Sequence, residues 1–127
     1  MWVFTPLGFF SITAHETGLQ VRARDGRHLV DLAKYGVERK IWKRQPDILK
    51  NVGTDYPYRF YASHFEVSTL LHQVCWEIEY QNFKSECHRV RADRPFLDAL
   101  QDVWARLLRL EREEPRTPTR SNYRFWP

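Results

Sequence analysis

Glycine is scarce in this chain, and Gly8, Gly18, Gly26, Gly36 and Gly53 stand too far apart to form a phosphate-cradling loop. Cysteine is scarcer: Cys75 and Cys87 are the only two, too few for a disulfide framework. The histidines, His15, His28, His64, His72 and His88, never recur at a spacing of four or five positions, and the neighbours Cys87 and His88 point to different sides of a helix. No metal or other cofactor is expected. A Gly-x-Ser-x-Gly elbow is missing, and nothing local marks either cysteine as a nucleophile. Also missing is any run of about 18 apolar residues, so no membrane-spanning helix is expected. Met1 leads into Trp2-Val3-Phe4-Thr5-Pro6 with neither a basic region nor a small-residue cleavage site, which predicts a chain without a leader and a cytoplasmic location. Finally, acid is in deficit: the net charge is +4 and the pI about 9.3, the wrong sign for a mimic of DNA.

What remains is aromatic and basic. Aromatic residues make up 15% of the chain, with Trp2, Trp42, Trp76, Trp104 and Trp126 spread over its length, and part of that ring area is needed for a core. At 127 residues the chain fits one domain, expected over 1–114 with an Arg/Pro-rich arm over 115–127. Between Gln20 and Lys50 nine basic residues face four acidic ones, so this stretch alone carries the whole molecule's surplus of +4. Such a patch suits a polyanion or an acidic protein surface; a merely solvated surface is the plain alternative.

Hydrophobic periodicity outlines the elements. A first strand is expected from about Trp2 to Ala14, interrupted at Pro6 and Gly8, then a turn over His15 to Gly18 and a returning strand from Leu19 to Arg24. Leu29, Val30, Leu32 and Ala33 predict a short helix ending near Gly36. Ile48 to Val52 is a candidate short strand, and Tyr58 to Ala62 a clearer one. Ser63 and Glu66 have the spacing of a capping box opening a long helix, roughly His64 to His88. Its length would separate Cys75 from Cys87 by about 18 Å, excluding a bridge and leaving both as core groups. Asp93 and Pro95 predict a last helix reaching about Glu114. The expected fold class is α+β: a small antiparallel sheet with helices on one face, ferredoxin-like or a distorted relative, with two long C-terminal helices.

Strand side chains alternate sides, so Phe10, Ile12, Leu19, Val21, Ala23, Tyr58 and Phe60 fall on one face of this sheet. The other face receives Phe9, Ser11, Thr13, Arg22, Arg24, Arg59 and Tyr61. Guanidinium and aromatic groups together suit phosphates and stacked bases. The candidate binding residues are therefore Phe9, Arg22, Arg24, Arg27, Arg59 and Tyr61, with Lys40, Lys43 and Arg44 from the basic stretch. Asn82, Lys84, Tyr56 and Arg59 form a second candidate polar site. Trp76, Tyr80 and Phe83 make a second apolar stripe on the long helix, a candidate protein interface.

The segments Trp2-Val3-Phe4-Thr5 with Gly8-Phe9-Phe10-Ser11, Asp55-Tyr56-Pro57-Tyr58-Arg59 and Asn82-Phe83-Lys84 are similar to those of a family of small uncharacterised bacterial proteins that also occur on mobile elements. The resemblance implies a single real fold and no particular chemistry.

Three functions follow as expectations. The first is a non-catalytic protein docking on nucleic acid or a nucleoprotein complex, or on an acidic protein surface, without a membrane. The family's setting extends this to a phage or mobile-element inhibitor of host defence of the anti-CRISPR type. The second is a small metal-independent ribonuclease-like enzyme using His28, read as an exposed first-turn residue, beside Arg22, Arg24 and Arg27. The third is an interaction module or homodimer through Trp76, Tyr80 and Phe83.

Overall fold

The computed structural model describes residues 1–51 and 53–111. They divide into two compact units, Met1–Asp93 and a second that begins at Arg94. The boundary expected near residue 114 and the arm beyond it lie outside the described residues.

The first unit is built on a five-stranded sheet in which every neighbouring pair is antiparallel, in the order β1-β2-β3-β5-β4. Its strands are β1 (Trp2–Thr5), β2 (Gly8–His15), β3 (Gly18–Ala23), β4 (Leu49–Lys50) and β5 (Tyr58–Ala62). Helix α1 (Gly26–Glu38) lies between β3 and β4 in the chain, and α2 (His64–Trp76) and α3 (Phe83–Arg91) follow β5. The α+β class is as expected. The element order βββαββααα, however, departs from the βαββαβ order of a strict ferredoxin-like fold.

The first strand is a hairpin, not one interrupted strand. Thr5 pairs with Gly8 across a turn made by Pro6 and Leu7, and the Thr5 hydroxyl accepts the Leu7 amide at 3.0 Å. Proline has no donor to offer a ladder, so it ends β1 instead of bulging it. Gly8 has φ +142°, and a Cβ there would stand 2.4 Å from the His28 ring.

Helix α1 starts and stops differently from the sequence expectation. Asp25 caps it by accepting the Arg27 amide at 2.9 Å, four positions before the apolar spacing begins at Leu29. The helix then runs through Gly36, because that glycine serves packing: a Cβ there would come 2.3 Å from the Trp42 ring. Lys40 supplies the left-handed residue instead, at φ +59°. Its N–H reaches Val37 O and the Ile41 N–H reaches Gly36 O, the paired bonds of a Schellman cap. Trp42 is thereby turned under the helix, donating its indole N–H to Ala33 O at 3.0 Å.

The capping box at Ser63 and Glu66 forms with both reciprocal bonds, at 3.1 and 2.9 Å. The long helix it was expected to open is two short ones. After Trp76 the Glu77 carboxylate is drawn to the Tyr35 hydroxyl and to Arg39 Nε, and Asn82 caps a new helix through the Ser85 amide at 2.9 Å. Two competing side-chain attachments thus outweigh the continuous apolar spacing. Cys75 and Cys87 consequently sit on different helices, both as free thiols. Cys87 is buried and its thiol is pushed up to about 11 by that burial, whereas Cys75 is exposed and is no core group.

Phe10, Ile12, Val21, Ala23 and Phe60 from the sheet meet Leu29, Leu32 and Tyr35 of α1 and Val67 and Leu70 of α2 in one core. Both helices therefore cover the same sheet face. In the second unit, α4 (Arg94–Leu107) carries Pro95 in its first turn as expected, and gives way to a 3-10 turn at Leu108–Leu110. Among the described residues no helix is long and apolar enough to cross a membrane.

Candidate functional site

The face of the sheet away from α1 and α2 collects most of the expected binding residues. Pairing of Ser11 with Arg22, and of Arg22 with Arg59, puts Phe9, Arg22, Arg59 and Tyr61 on one side, and Arg24 follows just beyond the end of β3. The hairpin register adds Trp2 and Phe4 to that side. Phe4 and Phe9 stack with centroids 4.6 Å apart, and Trp2 meets Phe9 edge-on at 5.8 Å. Trp2 is 68% exposed and Tyr61 40% exposed, so the two ends of the face are open to solvent.

The middle of the face is occupied by Tyr56, from the turn before β5. Its ring lies 6.1 Å from Phe9, with the Arg24 guanidinium 4.3 Å and the Arg22 guanidinium 4.8 Å from its centroid. Tyr56 is only 4% exposed and has φ +54°. Arg22 donates to the Ser11 hydroxyl at 2.8 Å. Arg59 donates to Gln20 at 3.2 Å and, at 3.3 Å each, to the Thr54 hydroxyl and the Tyr56 carbonyl. The Nε of Arg22 and of Arg59 are both buried without an acceptor.

Charge is out of balance here. Arg24 pairs with Asp55 at 3.0 Å, an exposed pair of little energetic weight. Among the described residues no carboxylate pairs with Arg22 or Arg59, which stand directly opposite each other on neighbouring strands. Like charges so placed repel.

The basic stretch joins the edge of this face only in part. Arg44 and Tyr61 line the same cleft of about 210 Å³, while Lys40 and Lys43 line another beside Val37 and Trp42. Arg27 is elsewhere, paired with Asp25 at 2.6 Å and Asp93 at 3.5 Å. The second polar site does not assemble: Asn82 caps α3, and Tyr56 and Arg59 belong to the sheet face. Trp76 is 77% exposed at the end of α2 and stacks on His72, while Tyr80 meets Phe83 beyond the helix break. The expected continuous stripe is therefore interrupted.

His28 is buried, not exposed, and of the arginines expected beside it only Arg27 belongs to its network. Its Nδ1 accepts the Phe9 amide at 3.2 Å, and Asp25 and Asp93 offer oxygens that, with a His28 nitrogen, lie within 4.8 Å of one another. That trio has metal-ligand composition. Yet an Nδ1 that accepts a hydrogen bond leaves the proton on Nε2, where a cation would need a lone pair. Arg27 and Arg91 also reach the carboxylates, Arg91 at 3.5 Å from Asp93. The donor set is that of an ion-pair network. Burial, then the Arg91 charge, lowers the His28 pKa, and the Arg27 hydrogen bond holds Asp25 down to about 2.

A larger cleft of about 470 Å³ runs beside α1, lined by Leu7, Asp31, Lys34, Tyr35, Arg39 and Glu77 among others. Arg39 lies 3.6 Å over the Tyr35 ring and bonds Glu77 at 2.8 Å. Arg39 lowers the Glu77 pKa, and burial with the Glu77 bond raises that of Tyr35. The Tyr35 proton therefore stays in place, and the trio ties the end of α1 to the end of α2.

Sequence reasoning missed Trp2, Phe4 and the central place of Tyr56. Reading Pro6-Leu7 as a hairpin turn would have put Trp2 and Phe4 beside Phe9; no local signal announces the position of Tyr56. Comparison with protein-family models, with curated proteins and with solved structures finds no match to this chain.

Proposed function

We propose that this protein is a non-catalytic binding protein that docks on single-stranded nucleic acid, free or within a nucleoprotein complex, through the open sheet face. The observation that carries the reading is the combination of three guanidiniums with one carboxylate and a run of rings ending in exposed Trp2. Bases stack on such rings whatever their sequence, and the unbalanced guanidiniums suit the phosphates between them. Arg44 reaches the Tyr61 end of the face, where Asp47 and Glu66 line the same cleft and balance its charge. The separation of His28 from Arg22 and Arg24 favours binding over ribonuclease chemistry, because a general base must reach the same phosphate as the cations. Free thiols fit a reducing compartment such as the cytoplasm.

Anisotropy of labelled oligothymidylate and oligouridylate, titrated from about 50 to about 200 mM NaCl, tests this. Affinity is expected to fall with salt, and the log–log slope to shrink by roughly 1.4 in Arg22→Gln/Arg24→Gln, two single-strand phosphate contacts. Absence of binding at low salt, binding indifferent to salt, or cleavage of the oligomer overturns the proposal.

A further inference from the structure

We propose that Arg22 and Arg59 form a phosphate-binding pair kept covered by Tyr56, so that the Gly53–Pro57 turn acts as a lid over the anion site of the open face. The inference deepens the nucleic-acid reading above and rests on it for the identity of the phosphate's carrier.

Three independent features meet at this spot. First, two half-buried guanidiniums face each other across β3 and β5 with no carboxylate between them, and each keeps a buried Nε–H without an acceptor. Such donors are costly to leave unmade, and an oxyanion satisfies both while cancelling their repulsion. Second, the group that shields them is an aromatic ring, Tyr56, lying over Arg22 and Arg24, with its carbonyl accepting from Arg59 at 3.3 Å. A ring offers a guanidinium its π face but no lone pair in the plane of the fork, so it occupies the site without neutralising it. Third, the turn is built to leave. Tyr56 sits in the left-handed region at φ +54°, an unfavourable conformation for a residue with a Cβ. Gly53 sits at φ +97° with nothing within 4 Å of where its Cβ would be, so the turn is free of packing on that side. It is held by the Asn51 N–H on Pro57 O at 2.8 Å, the Thr54 hydroxyl on Asn51 O at 2.9 Å, the two long Arg59 bonds to Thr54 and Tyr56 at 3.3 Å, and the exposed Arg24–Asp55 pair.

Displacing Tyr56 by a phosphate-bearing ligand exchanges its cation–π contacts and the Arg59 bonds to the turn for charge-assisted hydrogen bonds to the phosphate. Affinity for phosphate is then reduced, in the resting protein, by the small fraction of molecules whose turn is open.

Wild type, Tyr56→Ala and Tyr56→Ala/Arg59→Gln are titrated with inorganic phosphate and with labelled oligothymidylate. Tyr56→Ala is expected to bind both about tenfold more tightly than wild type, and the gain to vanish with Arg59→Gln. Weaker oligomer binding by Tyr56→Ala overturns the lid and makes Tyr56 a fixed stacking platform, leaving the nucleic-acid reading intact. A gain for phosphate with no oligomer binding by any chain upholds the lid and overturns the nucleic-acid reading. Unchanged affinity for phosphate overturns the lid. Loss of a buried ring threatens the fold, so hydrogen exchange of the wild-type protein is the second measurement. Excess phosphate is expected to speed exchange of the amides of Gly53 to Tyr56 and leave Val21 and Phe60 unchanged. Unchanged or slower exchange in the turn overturns the lid.

Discussion

The two faces of the sheet meet opposite fates although the same strands make both. On the helix side, Phe10, Val21, Ala23 and Phe60 are at most 1% exposed beneath α1 and α2. These side chains are apolar and need only one another's contacts. On the open side, Arg22 and Arg59 stand opposed without a counter-ion, Trp2 is mostly in water, and Tyr56 is held in a left-handed conformation over the arginines. Apolar burial stabilises without regard to direction, so a saturated face says little about function. Unmatched charge and a left-handed residue away from any helix cap cost stability, and such features cluster at ligand sites, which is why the second face carries the functional proposal.

That contrast can be broken or sharpened by measurement. The largest effect is expected from Phe60→Ala, which removes a ring wholly inside the covered face and should lower stability by about 4 kcal/mol in a denaturant titration. Oligomer affinity per folded molecule should be untouched; a loss of affinity in the folded fraction would show that the faces are coupled. Trp2→Ala is the mirror experiment. Oligomer binding should weaken by about 2 kcal/mol while stability moves by no more than about 0.5 kcal/mol, since the ring is exposed. Ser63→Ala removes one half of the capping box on α2, and should lower stability by about 1 kcal/mol with binding unchanged.

The smallest effect concerns His28, at the rim of the covered face among Asp25, Asp93, Arg27, Arg91 and the Phe9 amide. Its folded pKa lies below 6.5, so on acidification the unfolded chain takes up the proton first. Stability from this group is complete above that value and declines as the pH falls from it towards the folded pKa. His28→Asn, which keeps an acceptor for the Phe9 amide, should flatten the slope of stability just below about pH 6.5; an unaltered slope would assign it to another group.

Much of this was legible residue by residue. Period-two alternation marked β3 and β5 and sorted Val21 and Phe60 from Arg22 and Arg59, because a strand's geometry leaves its side chains two directions only. Ser63 and Glu66 announced the start of α2 through bonds that form within four residues. Asp25 as cap of α1 and the break after Trp76 were not legible. The first was hidden because Asp25-Gly26 reads as a break between elements, although Gly26 already belongs to the helix. The second depends on Tyr35 and Arg39, some forty positions away from Glu77. His28 was misplaced for the same kind of reason: its burial comes from Gly8 and from Asp93, which are far from it in the chain.

By itself the sequence determined the α+β class, the strand faces, the capping box and the concentration of arginine on one side of the sheet. These follow from interactions reaching no further than a few residues, or from alternation imposed by the backbone. Only the tertiary structure decided that Tyr56 lies over the arginines, that Arg22 and Arg59 oppose each other without a carboxylate, and that His28 is enclosed in an ion-pair network. Those outcomes depend on which distant segments pack together, and packing is settled by the burial and charge balance of the whole unit rather than by any short stretch of it.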